Sequence, residues 1–160
     1  LPIPALHPDI RDPSEGDGVL IGAYPAGFLG GIAIQKDLYS ASAISTVKEI
    51  FTFDLADETA DLMSVGGTVV AQKGSSGGAV VNAKGNVIGL IVTATEATNT
   101  SDRDLRAITL GHVNRDLLEY AGISLENLLK SNLAAYARTF NTTVAPGLTA
   151  KLEAAVKSQQ

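Results

Sequence analysis

Between Gly18 and Val113 the chain consists of short apolar runs, rich in β-branched residues and separated by glycine or polar breaks. Side chains branched at Cβ pack well on a pleated surface and lose rotamer freedom in a helix, so runs of this length are expected to be strands. The runs are Val19–Tyr24, Gly31–Gln35, Ser42–Thr52, Gly67–Ala71, Gly78–Asn82, Val87–Thr93 and Ala107–Val113. Lys84-Gly85, lying between two valine-rich runs, marks a hairpin. Short strands so closely spaced, with little helix between them, predict a small antiparallel barrel or sandwich.

The periodicity changes beyond His112. Asn114 is placed to cap a short helix over Arg115–Tyr120, and Ser124 to cap a longer one. In the second helix Leu125, Leu128, Leu129, Leu133, Tyr136, Ala137 and Phe140 share one face. Pro146-Gly147 should interrupt it, with a weaker helix from Ala150 to Lys157. At the other end Pro2, Pro4, Pro8 and Pro13 make Leu1–Pro13 an extended connector.

Composition narrows the function classes. With 45% apolar and 18% charged residues the chain is globular, and 160 residues suffice for one domain core. A net charge of −5 without a Lys/Arg cluster argues against nucleic acid as a partner. No apolar run reaches the ~18 residues that span a bilayer. The chain has no cysteine, which removes disulfides and thiolate chemistry and leaves the compartment undetermined. His7 and His112 stand far apart and outside metal-ligand spacing, so no metal is expected, and no organic cofactor is implied. The triplets Asn99-Thr100-Ser101 and Asn141-Thr142-Thr143 match the glycosylation pattern, which is common by chance.

"KGSSGGAVV", residues 73–81, is the stretch with chemical potential. Glycines lack Cβ atoms, so backbone N–H groups can converge on one hollow while a serine hydroxyl stays exposed. Gly74 and Ser76 could then supply two N–H donors beside the Ser76 hydroxyl. Gly74, Ser76 and Gly78 also satisfy G-x-S-x-G, and Asp102 or Asp104 followed by His112 matches the chain order of an α/β-hydrolase. That elbow needs a helix directly after the serine, whereas "AVVNAKGNVIGLIV" reads as strand, turn, strand.

Three segments together resemble the trypsin-like serine peptidases, in particular their cysteine-free HtrA-like branch. "GDGVLIGAYPAG" (residues 16–27) resembles the start of that family's second barrel. "KGSSGGAVVNAKGNVIGLIVTA" (73–94) resembles its nucleophile turn and the next two strands, and "RAITLGHVNRDL" (106–117) its last strand and following helix. The resemblance implies a six-stranded antiparallel β-barrel, the C-terminal half of a double barrel, followed by α-helices. The corresponding organisation is a connector over 1–17, the barrel over 18–122 and a helical extension over 123–160. By position, Ser76 is the expected nucleophile, and Gly74 and Ser76 carry the oxyanion-hole amides. Val70 falls at the base of the substrate side-chain pocket, where an apolar residue favours a small or aliphatic side chain. Val92, Thr93 and Ala94 fall on the segment that pairs with a polypeptide substrate.

Two departures shape the functional expectation. Ser75 stands where trypsin has the Asp that pairs with a new amino terminus, so that activation mechanism is not expected. The family's catalytic His and Asp lie upstream of everything aligned here, and His7 in "ALHPDI" lacks their flanking pattern. The chain is therefore expected to be the nucleophile-bearing half of a serine endopeptidase, inert alone and completed by an upstream half. A fragment, a two-chain enzyme and a pseudo-enzyme all satisfy the sequence. The alternative class is a non-catalytic peptide-binding or scaffold module. The apolar helical stripe adds an expectation of self-association.

Overall fold

The computed structural model describes residues 6–25, 40–54 and 58–158. Seven strands form one antiparallel sheet: β1 (Gly18–Ala23), β2 (Ala41–Thr46), β3 (Glu49–Phe51), β4 (Leu62–Ser64), β5 (Ala79–Asn82), β6 (Val87–Ala94) and β7 (Leu105–Thr109). Their order is β2-β1-β5-β6-β7-β4-β3. The two outermost strands are consecutive in sequence, joined by a bend at Val47-Lys48. At that bend Val47 N–H donates to Asp17 O at 2.9 Å and Lys48 N–H to Ser64 O at 2.8 Å. The Ser45 hydroxyl reaches Val65 O at 2.7 Å. One chain segment thus serves both edges, which curls the sheet into a half-barrel and leaves little open edge.

This bend is one reason the count is seven rather than the expected six: the single run Ser42–Thr52 forms two strands. The expected strand Gly67–Ala71 is not one. Its amides bond locally, Ala71 to Thr68 O at 2.9 Å and Gln72 to Val70 O at 2.7 Å, so it folds as turns. The short β4, which pairs with β3 and β7, was not foreseen. The expected strand Gly31–Gln35 lies outside the described residues.

Alternation along the strands sends one face inward. Val19, Ile21 and Ala23 of β1, Met63 of β4, Val80 of β5, Ile88 and Ile91 of β6 and Leu105 and Ala107 of β7 meet in a single core. Each larger side chain there contributes on the order of 1.5–3 kcal/mol relative to exposure. Gly89 sits where β6 crosses Met63: an added Cβ would lie 2.4 Å from Met63 Cε and 2.7 Å from Ile108 O. The segment before β1 joins the sheet as well, with Asp9 N–H donating to Val87 O at 2.8 Å and Val87 N–H to His7 O at 2.9 Å.

The expected strand Ala107–Val113 ends at Thr109, where helix α1 (Leu110–Ala121) begins. Thr109 Oγ1 accepts from His112 N–H at 3.0 Å and donates to Ala60 O at 2.6 Å. Thr109 rather than Asn114 is therefore the cap. Gly122 closes the helix in the left-handed conformation, φ 64°. A buried carboxylate ties α1 to the sheet. Asp61 accepts from Phe53 N–H at 2.7 Å and from Arg115 Nη2 at 2.7 Å, and His112 Nδ1 lies 2.9 Å away. Burial alone would raise the Asp61 pKa. The Phe53 amide, Arg115 and His112 outweigh it and hold this carboxyl well below the ordinary carboxylate range.

Chain contacts divide the molecule into two units, Leu1–Gly122 and Ile123–Gln160. The second contains α2 (Leu125–Lys130), α3 (Leu133–Thr143) and α4 (Ala145–Lys157). Ser124 caps α2 as expected, but Ser131-Asn132 splits the long helix, Asn132 capping α3 through Ala135 N–H at 3.1 Å. Pro146 starts a helix instead of breaking one, since the first turn needs no amide donor there. None of these three helices buries a residue. No helix among the described residues is long and apolar enough to cross a membrane.

Candidate active site

The Lys73–Gly78 turn links the irregular segment after Thr68 to β5, and its conformation depends on two glycines. Gly74 has φ 93° and Gly77 φ 85°, angles that residues with a Cβ resist. Hydrogen bonds fix the turn from inside. Ser75 is buried; its hydroxyl donates to Val70 O at 2.5 Å and its N–H to Gln72 O at 3.2 Å. Gly78 N–H returns to Ser75 O at 2.9 Å, Gly77 N–H reaches Ile91 O at 2.8 Å, and Ile91 N–H reaches Gly78 O at 2.8 Å. Gly78 also admits no side chain, because a Cβ would lie 2.6 Å from Ala23 Cβ and 2.7 Å from Gly22 O.

That internal bonding leaves Ser76 on the outside. Its exposed hydroxyl has one long contact, to Val92 O at 3.4 Å. Among the described residues, neither the Gly74 nor the Ser76 N–H donates a hydrogen bond. Val92 is the extra residue of a β-bulge in β6, where the pairing with β7 shifts between Ile91 and Thr93. The bulge turns the Val92 side chain outward and brings its carbonyl oxygen towards the serine.

Ser76 lies between two clefts. One, of about 760 Å³, runs from Ser76 past Ala71, Gln72 and Val92–Ala94 to Arg103. The other, of about 570 Å³, is lined by Tyr24, Ser40, Gly74, Ser76 and Gly77. Of the residues singled out in the sequence, Ser76, Val92, Thr93 and Ala94 share the larger cleft, and Gly74 adjoins Ser76 in the smaller. Val70 does not line either. Its side chain is fully buried in the core, and its carbonyl oxygen accepts from the Ser75 hydroxyl.

No described side chain acts as a base on Ser76. The two ring nitrogens of His112 face Asp61 at 2.9 Å and Asp116 at 3.4 Å. Asp104 is engaged by Ser64 and by Arg106. The hydrolase-type set of Ser76, Asp104 and His112 is therefore not assembled, and the serine is followed by strand β5 rather than by a helix. Among the described residues no group of three or more potential ligands is placed to hold a metal ion. Arg103 in the cleft and the Asp61–His112–Arg115 cluster were not foreseen; each depends on contacts between residues distant in sequence.

Neither a protein-family model nor a curated protein matches the chain. Solved structures do. Rv3671c of M. tuberculosis H37Rv, as a serine-to-alanine mutant in an inactive form, superposes with TM-score 0.51 at 19% identity, over 76% of this chain and 56% of that one. The Rv3671c protease in its inactive form superposes with TM-score 0.51 at 20% identity, over 74% and 56%. The HtrA-type protease AlgW with a decapeptide gives 0.49 at 18% identity, over 74% and 34%. The chain thus spans about half the length of the Rv3671c structures. Over the part that it covers, the fold is that of the Rv3671c protease.

Proposed function

We propose that the chain is the nucleophile-bearing part of a serine endopeptidase, with Ser76 as the attacking group. The observation that carries this reading is the division of labour within one turn. Among the described residues, the hydrogen bonds that fix the turn involve Ser75, Gly77 and Gly78, while the Ser76 hydroxyl has one long contact and the Gly74 and Ser76 amides donate none, beside two clefts. The proposed organisation follows the expectation: connector 1–17, barrel 18–122, helical extension 123–160.

In this reading a polypeptide lies across Ser76 and pairs along Val92–Ala94. The Ser76 Oγ attacks the scissile carbonyl, its proton passing to an imidazole supplied by an upstream half and then to the leaving amine. The oxyanion that forms is received by the two open amides, each worth on the order of 3 kcal/mol in the transition state. Without that imidazole the hydroxyl stays protonated and unreactive, so this chain alone is inert.

Mixing the chain with an upstream half bearing His and Asp tests the reading. Cleavage of unfolded casein by the mixture, absent from either part and absent with Ser76→Ala, is the expected outcome. Casein binding without cleavage in every such mixture would instead favour a non-catalytic peptide-binding module. That no side chain among the described residues stands as a base on Ser76 is the one observation on that side.

A further inference from the structure

We propose that the cleft beside Ser76 selects an acidic side chain of a polypeptide substrate, with Arg103 as its counter-charge. The inference rests on the peptidase reading and adds the substrate class. Arg103 follows a 3-10 turn, Thr100–Asp102, in the loop between β6 and β7. The base of this loop is closed by two reciprocal bonds, Thr95 N–H to Asp104 O at 3.0 Å and Asp104 N–H to Thr95 Oγ1 at 2.7 Å. From there the guanidinium reaches across the cleft: Nε donates to Ala97 O at 2.9 Å and Nη1 to Ala71 O at 2.8 Å. These bonds hold the cation in place without neutralising it.

No carboxylate among the described residues lies within ion-pair distance of Arg103, and Nη2 donates to no described acceptor. The neighbouring Asp104 is spent on Ser64 and Arg106. Glu96 and Lys73 also line this cleft and are exposed, one charge of each sign. A half-buried guanidinium with open donors, in the cleft that begins at Ser76, is a site for a carboxylate. Val70, which suggested an aliphatic preference, does not reach this cleft.

Fluorescence anisotropy with end-blocked peptides, identical except for Asp, Glu, Asn, Val or Lys at one position, tests the proposal on this chain. Asp or Glu should bind about tenfold tighter than Asn or Val, a charge-assisted contact's worth. The advantage should shrink between 0.05 and 0.5 M salt, vanish in Arg103→Gln and persist in part in Arg103→Lys. Tightest binding by Val or Lys, or an acid preference that survives Arg103→Gln, would overturn the inference and leave the peptidase reading standing. If no peptide binds and no upstream half restores cleavage, both fall together.

Discussion

The barrel unit contains two polar clusters that differ in one respect. Around Asp61 every group is matched: the carboxylate takes up a backbone amide, an arginine and a histidine, and Phe53 meets the His112 ring edge-on at 5.0 Å between centroids. Around Ser76 the matching stops one residue short. Ser75 is bonded and buried, whereas among the described residues the Ser76 hydroxyl has one long contact and the Gly74 and Ser76 amides donate no hydrogen bond. A satisfied buried network rigidifies, and a half-open one has capacity for a ligand. The comparison gives the first cluster a part in stability, and the second is where the proposed chemistry would sit.

Substitutions should separate the two. The largest effect on stability is expected from Asp61→Ala, which leaves Arg115 and His112 without their common partner. A loss of about 3 kcal/mol in urea unfolding is expected, at the low end for a broken buried pair because Arg115 is partly solvated. Gly78→Ala should follow, at about 2 kcal/mol, because backbone as well as side-chain atoms oppose the new Cβ. Circular dichroism under urea measures both.

Acid should distinguish the clusters again. The folded-state pKa of Asp61 lies below its unfolded value, and that of Asp9, drawn down chiefly by its bond to Arg11, falls to about 2. Stability from such groups is fully present above the unfolded carboxylate pKa and disappears as pH drops through the folded one. The urea midpoint should thus hold from pH 7 to about 5 and fall between about pH 4 and 2, less steeply in Asp61→Asn. The smallest effect belongs to Ser76→Ala: within about 0.5 kcal/mol of the parent, as befits an exposed hydroxyl with one long contact. A large loss there would make Ser76 structural and dissolve the comparison.

The same contrast explains what could be read from the sequence. The serine turn was legible because its requirements are local: two glycines at positive φ, two serines between them and a strand soon after. Two core strands were legible as the β-branched runs Val19–Tyr24 and Val87–Thr93. Thr109 was missed as a cap because Gly111 and Val113 lower helix propensity. Gly111 is needed there because a Cβ would lie 2.5 Å from Asp12 Oδ1, a contact made across most of the barrel's sequence. Turns over Thr68–Gln72 and the three-residue β4 likewise depend on what pairs with them, and Arg103 enters the cleft only through a loop whose closure no local pattern marks.

Fluorophosphonate labelling, read by mass spectrometry of the digested chain, addresses the nucleophile directly. In the presence of an upstream half carrying His and Asp, a single adduct on Ser76 is expected, and none with either half alone. An adduct on Ser75 or another serine, or none in a mixture shown to associate, would contradict the assignment of Ser76.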